Sequence, residues 1–154
     1  MRYYVDCEFD GHNGQLLSIA MVREDGASIH IRTFAFATDP WVSANVMPHM
    51  NNHKADVCFS GLQINSVGGE LRKMIGDDPD PVIVTDSPVD VARFCQALSN
   101  NKDGGWASVD YSLLRFEVHD VACYPTNLPG AVQHNAWWDA MALRHFLEDK
   151  SHDA

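Results

Sequence analysis

Two carboxylates stand two residues apart in the stretch Tyr3-Tyr4-Val5-Asp6-Cys7-Glu8-Phe9-Asp10-Gly11. In an extended strand alternate side chains share a face, so Asp6 and Glu8 point one way and Val5, Cys7 and Phe9 the other. Neighbouring carboxylates repel, and burying them unpaired is costly, so such a pair is held by a cation between them or by water around them. A divalent metal is the first answer, because hard cations take carboxylate oxygens. A solvated edge strand is the plain one. Farther on, Asp86-Ser87-Pro88-Val89-Asp90 brings two more acids four residues apart. Here Ser87 suits a helix N-cap, Pro88 the first helical position and Asp90 a capping box, which alone would account for Asp90. The third group is His134 with Asp139. On one continuous helix five positions would set them about 140° apart, so His134 is expected just before a helix and Asp139 in its first turns. A histidine there suits proton transfer near neutral pH.

The elements that must position these groups follow from apolar patterning. Residues 3–9, 16–22 and 27–37 read as three strands of a meander, with turns at Asp10-Gly11 and Glu24-Asp25-Gly26. Asp39 and Pro40 open a short helix to about residue 46. Residues 47–59 lack periodicity and read as a loop; His49 and His53 would form a metal pair only on a helix, and Pro48 favours solvated loop residues. A helix is expected over 60–75, weakened by Gly68-Gly69 and ended by Gly76-Asp77-Asp78-Pro79. Val82-Ile83-Val84-Thr85 reads as a buried strand, 88–98 as a helix, 100–105 as a polar loop, 113–118 as a strand and 135–149 as a helix. This pattern predicts one α/β domain over residues 1–154, with a single mixed sheet flanked by helices.

The totals bound the function. With 154 residues, 45% of them hydrophobic, the chain is long enough for a real core. No apolar run approaches a membrane span and the first residues enter a strand directly, which predicts a cytoplasmic protein. Cys7, Cys58, Cys95 and Cys123 are scattered without a Cys-x-x-Cys pair, against a zinc cluster or a disulfide framework. The net charge of −10 disfavours a broad DNA-coating surface. It leaves room for a narrow phosphate site bridged by metal ions.

Taken together, Asp6-Cys7-Glu8, Asp86 to Asp90 and His134 to Asp139 resemble, in order, the three motifs of the DnaQ-like (DEDDh) 3′→5′ exonuclease superfamily. The resemblance spans nearly the whole chain. Within that superfamily the chain looks most like the small exoribonucleases of mycobacteria and phages, through Met1-Arg2-Tyr3-Tyr4, Pro40-Trp41-Val42 and Asn45-Val46-Met47-Pro48-His49. Two departures stand out. Asp86 occupies a position that is commonly Asn, and is either an outer partner of a metal or part of the turn. Trp137 and Trp138 are bulky for their place between His134 and Asp139.

The resemblance implies a ribonuclease-H-like fold and a hydrolase that removes nucleotides from the 3′ end of single-stranded RNA or of 3′ overhangs, producing 5′-phosphomonoesters. It implies two divalent ions, Mg²⁺ or Mn²⁺, on Asp6, Glu8, Asp90 and Asp139, with Asp6 bridging both and His134 as general base. Two such ions neutralise a phosphodiester and activate water, which fits the residues independently. Phe9 and Trp137 are candidates for base stacking. The alternation of the first strand equally assigns Phe9 to the core, and helical spacing assigns Trp138 there. A homodimer is compatible with the resemblance. A DNA 3′→5′ exonuclease on the same fold and a non-catalytic, metal-stabilised nucleic-acid binding module remain open, because no motif reports the 2′-OH.

Overall fold

The computed structural model describes residues 1–100, 111–120 and 128–149. The first strands are β1 (Arg2–Phe9), β2 (Leu16–Arg23) and β3 (Ser28–Thr33). They form the expected meander, with β3 shorter than its apolar pattern suggests. After α1 (Pro40–Asn45) and a 3₁₀ turn (Met47–His49) comes β4 (Val57–Leu62), then α2 (Ile64–Ile75), β5 (Val82–Thr85) and α3 (Pro88–Ser99). A second 3₁₀ turn (Tyr111–Leu113) leads into β6 (Arg115–Val118), and α4 covers Ala136–Asp149.

The described strands form one mixed sheet in the order β4-β3-β2-β1-β5-β6. Pairing is antiparallel for β1 with β2 and β2 with β3, and parallel for β1 with β5, β5 with β6 and β3 with β4. With its flanking helices this is an α/β arrangement of ribonuclease-H type. Because β1 and β5 run side by side in the same direction, their carboxyl ends deliver Asp6, Glu8 and Asp86 to one edge. The β1–β2 register shifts between Glu8 and Phe9, a bulge of the kind that re-aims a side chain beside a site.

β4 corrects the sequence reading, which places residues 47–59 in a loop and begins a helix at 60. It is an edge strand with Val57 and Cys58 exposed, so it carries no buried alternation to read. Its hydrogen bonds come from the parallel partner β3 (His30 opposite Cys58), a tertiary contact. Among the described residues His53 belongs to no cluster that could hold a metal; its ring meets that of buried His30 at 4.2 Å. Most of the loop expected over 100–105, and Cys123, lie outside the described residues; Cys7, Cys58 and Cys95 are free thiols.

Alternation divides the core. Tyr3, Val5, Cys7, Ile19 and Met21 face α2 and α3, where Val67, Leu71, Phe94 and Leu98 are buried. Tyr4, Ala20, Val22 and Val84 face α4 and its Trp137, Trp138 and Leu143. Asp6 and Glu8, on the same side as Tyr4, therefore open toward α4 rather than into the first core. α2 can approach α3 closely because residue 68 is glycine: a Cβ there would stand 2.5 Å from the Ala97 carbonyl oxygen and 3.0 Å from Leu98 Cα. Gly68→Ala is expected to cost about 1–3 kcal/mol, the range for overpacking against backbone, as a lower urea midpoint. An unchanged midpoint would show that the two helices separate without penalty.

No described helix is long and apolar enough to cross a membrane.

Candidate active site

Five acids converge at the carboxyl ends of β1 and β5. Carboxylate oxygens of Asp6, Glu8 and Asp139 lie within 4.8 Å of one another, and so do those of Asp6, Asp86 and Asp90. Asp6 belongs to both groups. Asp86, which the sequence leaves between an outer partner and a turn residue, stands with Asp6 and Asp90.

Each acid is brought there by a local rule. α3 begins as expected: Ser87 Oγ accepts from the Val89 N–H at 3.1 Å and Pro88 takes the first position. The Asp90 carboxylate, only 4% exposed, turns to the backbone N–H and thiol of Cys7 on β1 and to Asp86. α4 begins on Asn135, whose side-chain oxygen accepts from the N–H groups of Trp137 (3.1 Å) and Trp138 (3.3 Å). In return Asp139 Oδ2 accepts from the Asn135 N–H at 3.1 Å, so the same capping exchange that starts the helix orients the acid. Asn135 Nδ2 also donates to the His49 carbonyl at 2.7 Å.

In the sequence Asn135 stands out only as the start of a helix. It is fully buried and ties α4, Asp139 and the 3₁₀ turn together. The signal available in sequence is an N-cap residue just ahead of an apolar helix. Asn135→Ala should lower stability by about 2–4 kcal/mol, combining the loss of a cap with an orphaned buried carbonyl. It should also weaken metal binding by loosening Asp139. Metal titration and thermal melts would check it; wild-type values in both would leave Asn135 without this role.

His134 precedes the helix, as expected. Its φ of 61° lies in the left-handed region, uncommon outside glycine, and its backbone N–H points to Asp139. Its ring stands edge-on to Trp41 at 5.1 Å. Burial, then the nearby His49, holds the imidazole below its ordinary pKa. Trp41 is 56% exposed on a segment tethered to the end of β1. Asp10 there accepts from the Thr38 N–H (2.9 Å), the Thr38 hydroxyl (2.6 Å) and the Asp39 N–H (2.9 Å), and Asp39 caps α1. From sequence Asp10 reads only as a turn residue.

The two stacking candidates lie elsewhere than in an open groove. Trp137 is 6% exposed and packs between α4 and the sheet, its ring 4.5 Å from that of Trp138. α4 lies flat across β1 and β2, which buries adjacent positions, so Trp137 exposes little of its indole to a base. Trp138 is core, as its spacing predicts, with Nε1 donating to the Asn52 carbonyl at 2.7 Å. Phe9 is half-buried against the α3 core, with the Arg93 guanidinium 5.0 Å above its ring.

Electrostatics sets the chemistry. Burial raises the pKa of all five acids, and repulsion among them adds to it for Asp6, Glu8, Asp90 and Asp139. Asp6 is pushed well above the carboxylate range by burial and then by Asp90, Asp139, Glu8 and Asp86. Glu8 rises to about 8 through burial, Asp139 and Asp90. Asp90 and Asp139 rise to about 7, each chiefly through burial. Asp86 is raised by burial. All-oxygen groups destabilised by their own charge fit hard divalent cations, whose charge removes the repulsion.

No protein-family model matches the chain. Two proteins of Mycobacterium tuberculosis, from strains CDC 1551 / Oshkosh and ATCC 25618 / H37Rv, are each named 3′-5′ exoribonuclease and are 31% identical to it over 103 residues. The match covers 62% of this chain and 60% of theirs. The chain is thus a distant relative of proteins named as exonucleases.

Proposed function

We propose that this protein is a metal-dependent 3′→5′ exoribonuclease of the DEDDh type. The observation that carries the reading is the pair of carboxylate triads sharing Asp6, a donor set for two divalent ions with one bridging ligand. The name of the two mycobacterial relatives favours RNA over DNA. Bound there, two Mg²⁺ or Mn²⁺ ions would neutralise the non-bridging phosphate oxygens, activate water and stabilise the leaving 3′ oxygen. Asp6, Glu8 and Asp139 would hold one ion, and Asp6 and Asp90, with Asp86 beside them, would hold the other. His134 takes the proton of the attacking water, its depressed pKa keeping the imidazole free as a base. The product is a 5′-phosphomonoester.

The experiment is incubation of the protein with 3′- and 5′-labelled single-stranded RNA and matching DNA, with Mg²⁺, Mn²⁺ or EDTA. Metal-dependent laddering from the 3′ end supports the reading, and faster cleavage of RNA fixes the substrate. Faster cleavage of DNA would make it a DNA exonuclease. Metal binding and oligonucleotide binding without cleavage would make it a binding module.

A further inference from the structure

α3 carries the site at its first turn and a different surface along the rest. Asp90, Arg93 and Ala97 follow one another at i, i+3 and i+7, so they share a helix face, and Gln96 and Asn100 flank it. Beyond Asp90 this face forms one wall of a cavity of about 710 Å³. The other walls come from the β1–β2 turn with Gln15, the end of β3 with Phe34, and the start of α2 with Gln63. From Arg93 to Asn100 the wall runs about 10 Å away from the acids.

The lining is unlike the rest of the chain. In a protein of net charge −10, no Asp or Glu among the described residues lines this cavity; it holds one guanidinium and several carboxamides. Arg93 is held in place by the Phe9 ring and by Gln96, whose Oε1 lies 3.3 Å from its Nη1. Phe34 is 60% exposed and presents an aromatic surface. A cation for phosphate, amides that donate and accept toward base edges and ribose hydroxyls, and an aromatic for stacking are what a single strand needs. The volume lies within the range that encloses a small organic ligand, about 300–1,000 Å³.

We propose that this groove binds the strand on the 5′ side of the scissile phosphate, with Arg93 on a backbone phosphate and Phe34 under a base. The inference rests on the exonuclease reading and extends it to a second subsite. A cavity whose α3 wall begins one turn beyond Asp90 and runs on from the acids suits the part of the chain that is retained between cleavages, whereas the released nucleotide must leave at every turn.

The test is a length series of single-stranded RNA, from dinucleotides to octamers, with the double variant Phe34→Ala/Arg93→Gln and the single variant Gln96→Ala. The double variant should raise KM for octamers at least about 10-fold, leaving kcat and dinucleotide kinetics as in wild type. Loss of one phosphate contact should lower the salt dependence of octamer binding by about 0.7 in log–log slope. Exposed Gln96 should give a smaller rise in KM in the same length-dependent manner. Equal losses on dinucleotides and octamers, or an unchanged octamer KM and salt slope, would overturn the groove. Binding of a phosphorothioate octamer, followed by fluorescence anisotropy, reads the groove without turnover. Wild-type protein that binds it but cuts none of the unmodified RNAs of the series would sink the exonuclease reading alone, and equal binding by the double variant would sink the subsite.

Discussion

Asp6→Asn is expected to lower nuclease turnover at least about 1,000-fold, about 4 kcal/mol of barrier, and at the same time to stabilise the metal-free protein. Both effects have one cause. Asp6 belongs to both carboxylate groups, so in the proposed reading it would be the ligand that both metal positions share, and it is repelled by all four of the other acids. An amide keeps the shape and can take no charge, so it relieves Asp90, Asp139 and Glu8 wherever the cluster ionises. Activity assays beside thermal melts in EDTA read the two effects separately. Full turnover by Asp6→Asn would remove Asp6 from the metal site, and an unchanged melt would show that its neighbours are solvated. Asp139→Asn should follow the same pattern, since its carboxylate belongs to the group with Asp6 and Glu8.

Stability should fall as pH rises in EDTA, and divalent metal should abolish the fall. The folded pKa values of Glu8 (about 8), Asp90 and Asp139 (about 7) stand above those of the unfolded chain. The folded protein therefore binds more protons than the unfolded one, and ΔG of unfolding decreases with pH. This contribution is fully present below the unfolded carboxylate range and is lost through pH 7 to 8. His30 acts oppositely: burial, then His53 and Arg32, lowers its pKa to about 3 from 6.5. Its contribution is present above pH 6.5 and is lost as pH falls toward 3, so the carboxylate effect stands clear only above about pH 6.5. One proton held by the folded chain and not by the unfolded one, across about two pH units, is worth about 3 kcal/mol, or on the order of 10 °C in melting temperature for a chain of this size. Melts between about pH 6.5 and about pH 8.5 should show that decline in EDTA and a near-level profile in millimolar Mn²⁺. A profile in EDTA that is level or rises with pH would mean that the acids ionise without a penalty from burial or from one another.

Much of this is legible in the sequence because local signals and tertiary needs coincide. The apolar run Leu16–Arg23 is buried along nearly its whole length, and Ser87-Pro88 starts α3 as its chemistry dictates. The spacing of His134 and Asp139 places the histidine before the helix, where it stands with positive φ. What is not legible depends on partners distant in sequence. β4 exists because β3 offers it a ladder, and its exposed residues carry no strand alternation. Trp137 is buried because α4 lies flat on two strands, whereas the helical period alone assigns only Trp138 to the core. Asp86 can be counted with the acids only once β5 is set beside β1. Asn135 reaches a carbonyl 86 residues away.

The order in which the acids arrive has a consequence for the protein's own synthesis. Asp6 and Glu8 emerge first on β1, Asp86 and Asp90 follow with β5 and α3, and Asp139 comes only with α4, which closes over β1 and β2. A partly translated chain therefore carries both edges of the shared Asp6 but only one complete carboxylate group. Asp139 is the last of the five acids to be synthesised, so a growing chain that has not yet folded α4 onto β1 and β2 lacks the group of Asp6, Glu8 and Asp139 and with it half of the proposed metal site.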